Sequence, residues 1–328
     1  MVTIRDVAKK AGVSISTASY ALNDSGPVSQ ETRQRVLKAA QELKYHPNAN
    51  ARHLRSSKTN TIGLIVSDLA GPFFSELIRG VQEKTLAADY DLMAISAIGG
   101  FDSTAAKFLK ERRTDAIIIF AHNLDDGLIK SAARRDMPIV LIDRPIEGKY
   151  IINIKVDNFE GAYKATEYLI SRGHEEIAYI SGSEDSYDNE QRFEGYKAAL
   201  EANGMKYNPD LIYRGNFVEA GGYAAAKLMI SKGYVPRAIF AANDEMAIGA
   251  INAFGESGVK VGEDVAIIGF DDIRIARYVV PPLTTMRQPT YEIGCLAVNL
   301  VLRALAGDFP ESKIMLPAEL IIRRSCGE

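Results

Sequence analysis

Several polar side chains stand where short apolar runs end, the positions at which a binding site is built. Asp143 follows Val140-Leu141-Ile142, and Asn243 with Asp244 follow the run that contains Ala238-Ile239-Phe240. Asp271 and Asp272 follow Ile267-Ile268-Gly269-Phe270, and Arg192 follows the polar loop 183–191, where it is expected to open a helix. Carboxylates, an amide and a guanidinium that converge on a cleft can grip a small polyol, because each hydroxyl both donates and accepts. Phe73, Phe74 and Phe217 offer flat faces for the apolar side of a sugar ring. Plainer readings stand beside these. Phe73 and Phe74 begin a helix and suit a core, Asp244 suits the cap of a helix over 245–256, and Asp272 suits a turn cap. Asp157 and Asn158 are expected to hold backbone at a hinge or pocket.

The motifs of a catalyst are missing. There is no phosphate-cradling glycine loop, no dinucleotide fingerprint and no serine-nucleophile elbow. The four histidines, at 46, 53, 122 and 174, have no metal-ligand spacing. The expectation is a binding protein that is not an enzyme and takes no cofactor and no metal. No apolar run is long enough to span a bilayer, Met1-Val2-Thr3 begins no export signal, and Cys295 and Cys326 are the two cysteines. These point to a reduced cytoplasm and to no membrane partner.

Elements able to position those side chains fill residues 61–328. Apolar runs predict strands at 61–67, 91–97, 116–120, 139–142, 154–156, 177–181, 238–241, 265–270 and 284–287. Amphipathic stretches predict helices at 72–88, 159–172, 192–203, 220–232, 245–256 and 291–306, with Pro72 at a first helical position. Apolar strands alternating with helices imply parallel sheets covered on both faces. The length suits two lobes.

The first 46 residues read differently. Ile4, Val7, Ala8 and Ala11 recur at helical spacing, Gly12 permits a tight turn, and Ser14 can cap a second short helix that returns to the core at Ala21 and Leu22. Ser29–Lys44 is a third amphipathic helix, with Val36, Leu37, Ala40 and Leu43 on one side, and Pro47 stops it. Two helices joined by a glycine turn form a helix-turn-helix pattern, which places its second helix in a DNA major groove. Residues 1–60 hold ten Lys/Arg and four Asp/Glu, a net of +6, whereas residues 61–328 carry −9. A cationic head on an acidic body fits a nucleic-acid partner.

The stretch Thr3-Ile4-Arg5-Asp6-Val7-Ala8, with Ala11-Gly12-Val13-Ser14, Leu22-Asn23, Val28-Ser29, Leu43-Lys44-Tyr45-His46-Pro47-Asn48 and Ala51-Arg52, resembles the lactose-repressor/galactose-repressor (LacI/GalR) family of bacterial transcription regulators. The resemblance implies an all-α helix-turn-helix head (1–46) and a hinge helix with its linker (47–60). A two-lobed α/β periplasmic-binding-protein-like effector and dimerisation domain (61–328) completes the chain. It implies base reading by Ile15, Ser16 and Tyr20, and backbone contacts by Thr3, Ser14, Thr17, Ser19, Asn23 and Arg33. Tyr20 departs from the arginine that many members carry and cannot read guanine as arginine does. Ser19 also suits close helix packing. In the hinge, Ala51, Arg52 and Leu54 match a minor-groove site at which a leucine wedges between bases. In the lobes, Phe73, Phe74, Asp143, Arg192, Phe217, Asn243 and Asp271 match ligand-contacting positions.

The function so implied is a repressor that binds a palindromic operator as a homodimer. A small effector in the cleft, a sugar or sugar derivative, controls it allosterically. Control by a purine or by a protein partner is the alternative within the family, and a solute-binding protein is the alternative outside it. Residues 307–328 show no apolar heptads, so a tetramerising tail is not expected.

Overall fold

The computed structural model describes residues 2–45, 58–309 and 313–327, and the chain divides into two units, Met1–Thr59 and Asn60–Glu328. Ala51, Arg52 and Leu54, the residues expected to enter a minor groove, lie outside the described residues.

The first unit holds three helices: α1 (Ile4–Ala11), α2 (Ile15–Leu22) and α3 (Gln30–Glu42). Short helices are marginal by propensity alone, so their ends are tied down. The Thr3 N–H and hydroxyl both donate to Asp6 Oδ2 at 2.8 Å. The Thr17 N–H donates to Ser14 Oγ and the Thr32 N–H to Ser29 Oγ, capping α2 and α3. Gly12 ends α1 at φ +65°. Val7, Ala8, Ala11, Ala18, Ala21, Val36, Ala39 and Ala40 form the core. Leu37, expected inside, is 47 % exposed. The stripe of α3 runs instead through Val36, Ala39 and Ala40, because the small side chains of the first two helices approach along that line.

The second unit is built on two six-stranded sheets. Strands β1 (Thr61–Val66), β2 (Asp91–Ser96), β3 (Ala116–Phe120), β4 (Ile139–Ile142), β5 (Ile151–Val156) and β11 (Lys313–Leu316) pair in the order β11-β5-β4-β3-β1-β2, all parallel. Strands β6 (Ile177–Ser181), β7 (Ile212–Arg214), β8 (Ala238–Ala241), β9 (Ala266–Asp271), β10 (Thr284–Arg287) and β12 (Glu319–Ile321) pair as β12-β10-β9-β8-β6-β7, with only the β10–β12 pair antiparallel. The central runs are Val/Ile-rich and buried along their length, as a sheet covered on both faces requires.

The covering helices are α4 (Phe74–Ala87), α5 (Thr104–Glu111), α6 (Asp126–Ala132), α7 (Asn158–Ser171), α8 (Tyr187–Ala202), α9 (Glu219–Ser231), α10 (Asp244–Glu256) and α11 (Thr290–Leu305). Two pairs approach through reciprocal glycines. A Cβ on Gly80 of α4 would lie 2.3 Å from the Tyr291 carbonyl oxygen, and one on Gly294 of α11 would lie 2.5 Å from that of Leu77. Gly222 of α9 and Gly249 of α10 meet the Met246 and Glu219 carbonyls in the same way.

The chain passes between the lobes three times: between β5 and α7, between β10 and α11, and between β11 and β12. Residues after 312 therefore add one strand to each sheet. The sequence expectation contained neither β11 and β12 nor the three-residue β7. It also lacked α5 and α6, which span two turns and carry too little periodicity to be told from a loop. Pro72 lies two residues before α4, not at its first position.

Candidate functional site

Strand ends of both sheets open onto one cavity of about 510 Å³, the place at which open α/β sheets bind ligands. The structure brings to its wall all seven side chains matched above: Phe73, Phe74, Asp143, Arg192, Phe217, Asn243 and Asp271. Asp143 follows β4 in the N-terminal lobe, and Asp271 ends β9 in the C-terminal one.

Arg192 organises the C-terminal wall. It is buried within α8, where Nε donates to Asn158 Oδ1 at 2.9 Å and Nη1 to the Ala242 carbonyl at 2.5 Å. Asp271 Oδ1 lies 3.5 Å from Nη1, and Asp188 Oδ2 lies 3.8 Å from Nη2. The guanidinium stacks 3.9 Å above the Phe270 ring, with Phe217 at 5.8 Å. Gln288 Nε2 donates to Asp271 Oδ1 at 2.6 Å. Asn158 and Gln288 stand at two of the three lobe crossings, so hydrogen bonds join the pocket to the hinge. Burial pushes Asp271 up to about 7 against the pull of Arg192. Asp244, fully buried behind it, is raised by burial and by the Asp271 charge.

The N-terminal wall is mostly apolar. Phe73, Phe74 and Phe120 meet edge to face, with centroids 5.1, 5.4 and 5.6 Å apart. Phe73 also packs on the core of the C-terminal lobe, while Phe74 packs on its own. Asp143 Oδ1 accepts from the Val156 N–H at 2.7 Å, and its carboxyl is buried beside the Asn158 side chain. Burial foremost, then the Asp188 charge, raise Asp143 to about 7.

Left-handed backbone concentrates at this cavity. Asp143, Asn216, Phe217 and Asp271, none of them glycine, have φ of +48°, +56°, +63° and +122°. Each such residue costs roughly 1–3 kcal/mol and persists only where its surroundings enforce it. Phe217 shows the enforcement. The Asn243 side chain donates to its carbonyl at 3.0 Å, and its ring lies so close to Gly182 that a Cβ there would sit 2.1 Å away.

Some roles differ from expectation. Arg192 does not open a helix; α8 begins at Tyr187, because residues 187–191 continue its turn. Asp244 is not the cap of α10. Asn243 caps it by accepting from the Met246 N–H at 3.0 Å, so both ends of that amide are engaged by protein. Asp244 instead accepts from Thr285 Oγ1 and the Ile273 N–H. Asp272 joins Arg323 and Arg287 at 2.5 and 2.8 Å, away from the cavity. Asp157 caps α7. Sequence reasoning missed Phe120, Asp188 and Gln288. Their only signal is a place at a strand end, one turn before an arginine, and between a strand and a helix.

In the head, Ile15, Ser16 and Tyr20 of α2 are exposed on one short helix, with Ile15 at 48 % and Tyr20 at 36 %. Thr3 and Ser14 are exposed, and Thr17 is half-buried with its hydroxyl on Ser14 Oγ at 2.8 Å. Ser19, expected to touch a phosphate, is buried where α2 packs, and Asn23 Nδ2 bonds its carbonyl and hydroxyl. Arg33 is half-buried and paired with Asp24. Among the described residues there is no group of His, Cys, Asp and Glu able to hold a metal, and no helix long and apolar enough to cross a membrane.

Residues 3–48 match the family described as bacterial regulatory proteins, lacI family, and residues 166–326 match a periplasmic binding protein-like domain. The HTH-type transcriptional repressor PurR of Pasteurella multocida (strain Pm70) is 37 % identical over 329 residues, covering 99 % of this chain and 98 % of that protein. The lac repressor dimer bound to operator and the anti-inducer ONPF superposes with a TM-score of 0.83 at 29 % identity, covering 99 % of each chain. The transcriptional regulator CelR in complex with cellobiose gives 0.74 at 30 % identity, covering 99 % of this chain and 100 % of that one.

Proposed function

The chain belongs to the LacI family of bacterial regulatory proteins, and on that premise we propose that it is a repressor whose paired heads bind an inverted-repeat operator and whose cleft takes a small effector. Such a protein acts by binding and not by catalysis. Its place of action is the cytoplasm, where its DNA is. The observation that carries this reading is the meeting of the seven cavity side chains in a chain whose second head helix presents Ile15, Ser16 and Tyr20 outward.

In the head, α2 is the reading helix, with Thr3, Ser14 and Thr17 positioned for phosphates. Asn23 and Arg33 stand at the margin of that face. Ala51, Arg52 and Leu54 are the minor-groove contacts of the hinge. The domain boundaries are 1–46, 47–60 and 61–328.

Dimerisation has its own support. Edge strand β2 is largely exposed, and Leu69, Leu86, Met93 and Ile98, on or beside it, are exposed too. The C-terminal lobe exposes Ile275, Tyr278 and Val280, the last at 87 %. Apolar surface of this kind marks a protein interface.

The cleft controls the heads through the crossings. A ligand that contacts Arg192 and Asp271 touches groups bonded to Asn158 and Gln288, and so favours one lobe arrangement by its differential affinity. Such coupling typically amounts to about 1–3 kcal/mol and acts in both directions. Selection of duplexes from a random pool by the purified protein tests the reading. An enriched inverted repeat whose affinity changes with an added metabolite is expected; a pool that stays random refutes it.

A further inference from the structure

We infer that α2 selects its base pairs through thymine methyl groups, so that the operator carries A·T pairs where Ile15 and Tyr20 meet the groove and no guanine is read there. This rests on the reading of α2 as the helix that enters the major groove, and it adds the class of base recognised.

The first ground is what α2 lacks. Its eight residues, Ile15–Leu22, include no Arg, Lys, Asn, Gln, Asp or Glu. Those are the side chains that tell bases apart by directed hydrogen bonds. Arg or Lys takes guanine O6 and N7, Asn or Gln takes adenine N6 and N7, and Asp or Glu takes cytosine N4. The amide that follows the helix is turned back on it: Asn23 Nδ2 donates to the Ser19 carbonyl at 2.9 Å and to its hydroxyl at 3.3 Å.

The second ground is what α2 presents. Its exposed residues are Ile15, Ser16 and Tyr20, with Thr17 and Leu22 half-buried. A serine or tyrosine hydroxyl both donates and accepts, so it bonds guanine O6 and cytosine N4 alike and separates the pairs poorly. Discrimination is left to the apolar surface of Ile15 and Tyr20. The apolar group that the major groove offers is the C5 methyl of thymine. Covering it removes hydrocarbon from water on both sides. A G·C pair at the same place sets polar edges against hydrocarbon and leaves them without partners.

The third ground is that the Tyr20 ring is already held. Gly26, at φ +82°, lies against it so closely that a Cβ there would sit 3.0 Å from Tyr20 Cγ. The Ser25 N–H donates to the Tyr20 carbonyl at 3.1 Å and ties the same loop to the end of α2. A braced ring loses little freedom when it meets a base, so its apolar contact is retained as affinity.

The test uses the full chain and the duplex it enriches from the random pool. Uracil replaces each thymine of that duplex in turn, which removes a methyl and leaves every hydrogen bond in place. With the unaltered chain, at least one replacement in each half-site should weaken binding in competition titration by about fourfold per covered methyl. In Ile15→Ala or Tyr20→Ala, each checked for a melt like the parent's, the same replacement should cost almost nothing, and selection at that pair should relax. A uracil scan without effect overturns the inference, as does a methyl effect that survives in both variants. So does relaxation that falls on G·C pairs. Each of these outcomes starts from an enriched operator and leaves the repressor reading standing. A pool that stays random refutes that reading itself, and the inference with it.

Discussion

The head and the effector domain set their functional side chains in opposite surroundings. In the head, Ile15, Ser16 and Tyr20 project from a helix whose stability lies elsewhere, in its Ser14 cap and a core of alanines and valines. In the cleft, Arg192, Asp143 and Asp271 are buried, and each is bonded to the backbone or to a crossing-strand amide. Function and stability are therefore separable in the first unit and joined in the second. A reading face must fit a partner that arrives from solvent. A cleft must hold polar groups in low dielectric, where an unpaired one is costly.

The largest expected effect tests the joined side. Arg192→Ala leaves Asp271 and Asp188 without their cation and should destabilise the second unit by about 3 kcal/mol in urea unfolding, as breaking a buried pair does. It should abolish the effector response while operator binding in the absence of ligand persists. A variant of wild-type stability that still responds to ligand would break the contrast.

Next in size is the separable side. Tyr20→Arg should change base preference at one position by roughly 1–3 kcal/mol, measured by competition between operator variants, while its unfolding stays within about 0.5 kcal/mol of the parent. A large stability change would place Tyr20 in the head's core. Ser14→Ala removes the cap of α2 and should cost the head about 1 kcal/mol. That loss would be visible in melting of the full chain and in weaker binding to every duplex alike.

A pH dependence sharpens the contrast from the side of the cleft. Asp143 is raised to about 7 when folded, against an ordinary 3.8. Between these values the folded chain binds more protons than the unfolded one, so this group's contribution to stability falls as pH rises through the window. Asp143→Asn removes the titration. The stability difference, variant minus wild type, should therefore move in the variant's favour from pH 5 to pH 8 in parallel urea titrations. A difference flat across that range would mean that the carboxylate ionises normally in the cleft.

Much of this organisation was legible in the residues. The strands with uninterrupted apolar runs, such as Ala116–Phe120, Ile139–Ile142 and Ile177–Ser181, lie where the runs predict, because a strand buried on both faces has no polar alternation to hide it. Long helices were visible to within a turn, apart from α8, which starts five residues before the expected Arg192. Leu37 was misplaced because periodicity gives the width of a stripe and not the neighbour that covers it. The short α5 and α6 and the strands β7, β11 and β12 lay below the length at which a period can be counted.

By itself the sequence determined the cationic three-helix head, the alternating strands and helices of the body, and the strand-end positions of Asp143, Asn243 and Asp271. Each is a matter of local pattern: charge, spacing, or a residue that follows a run. Only the tertiary structure decided that Ser19 is buried, that Asn243 and not Asp244 caps α10, and that Arg192 meets groups from three separate elements. Those outcomes depend on which distant donors and acceptors arrive in one low-dielectric place, and no local pattern encodes that meeting.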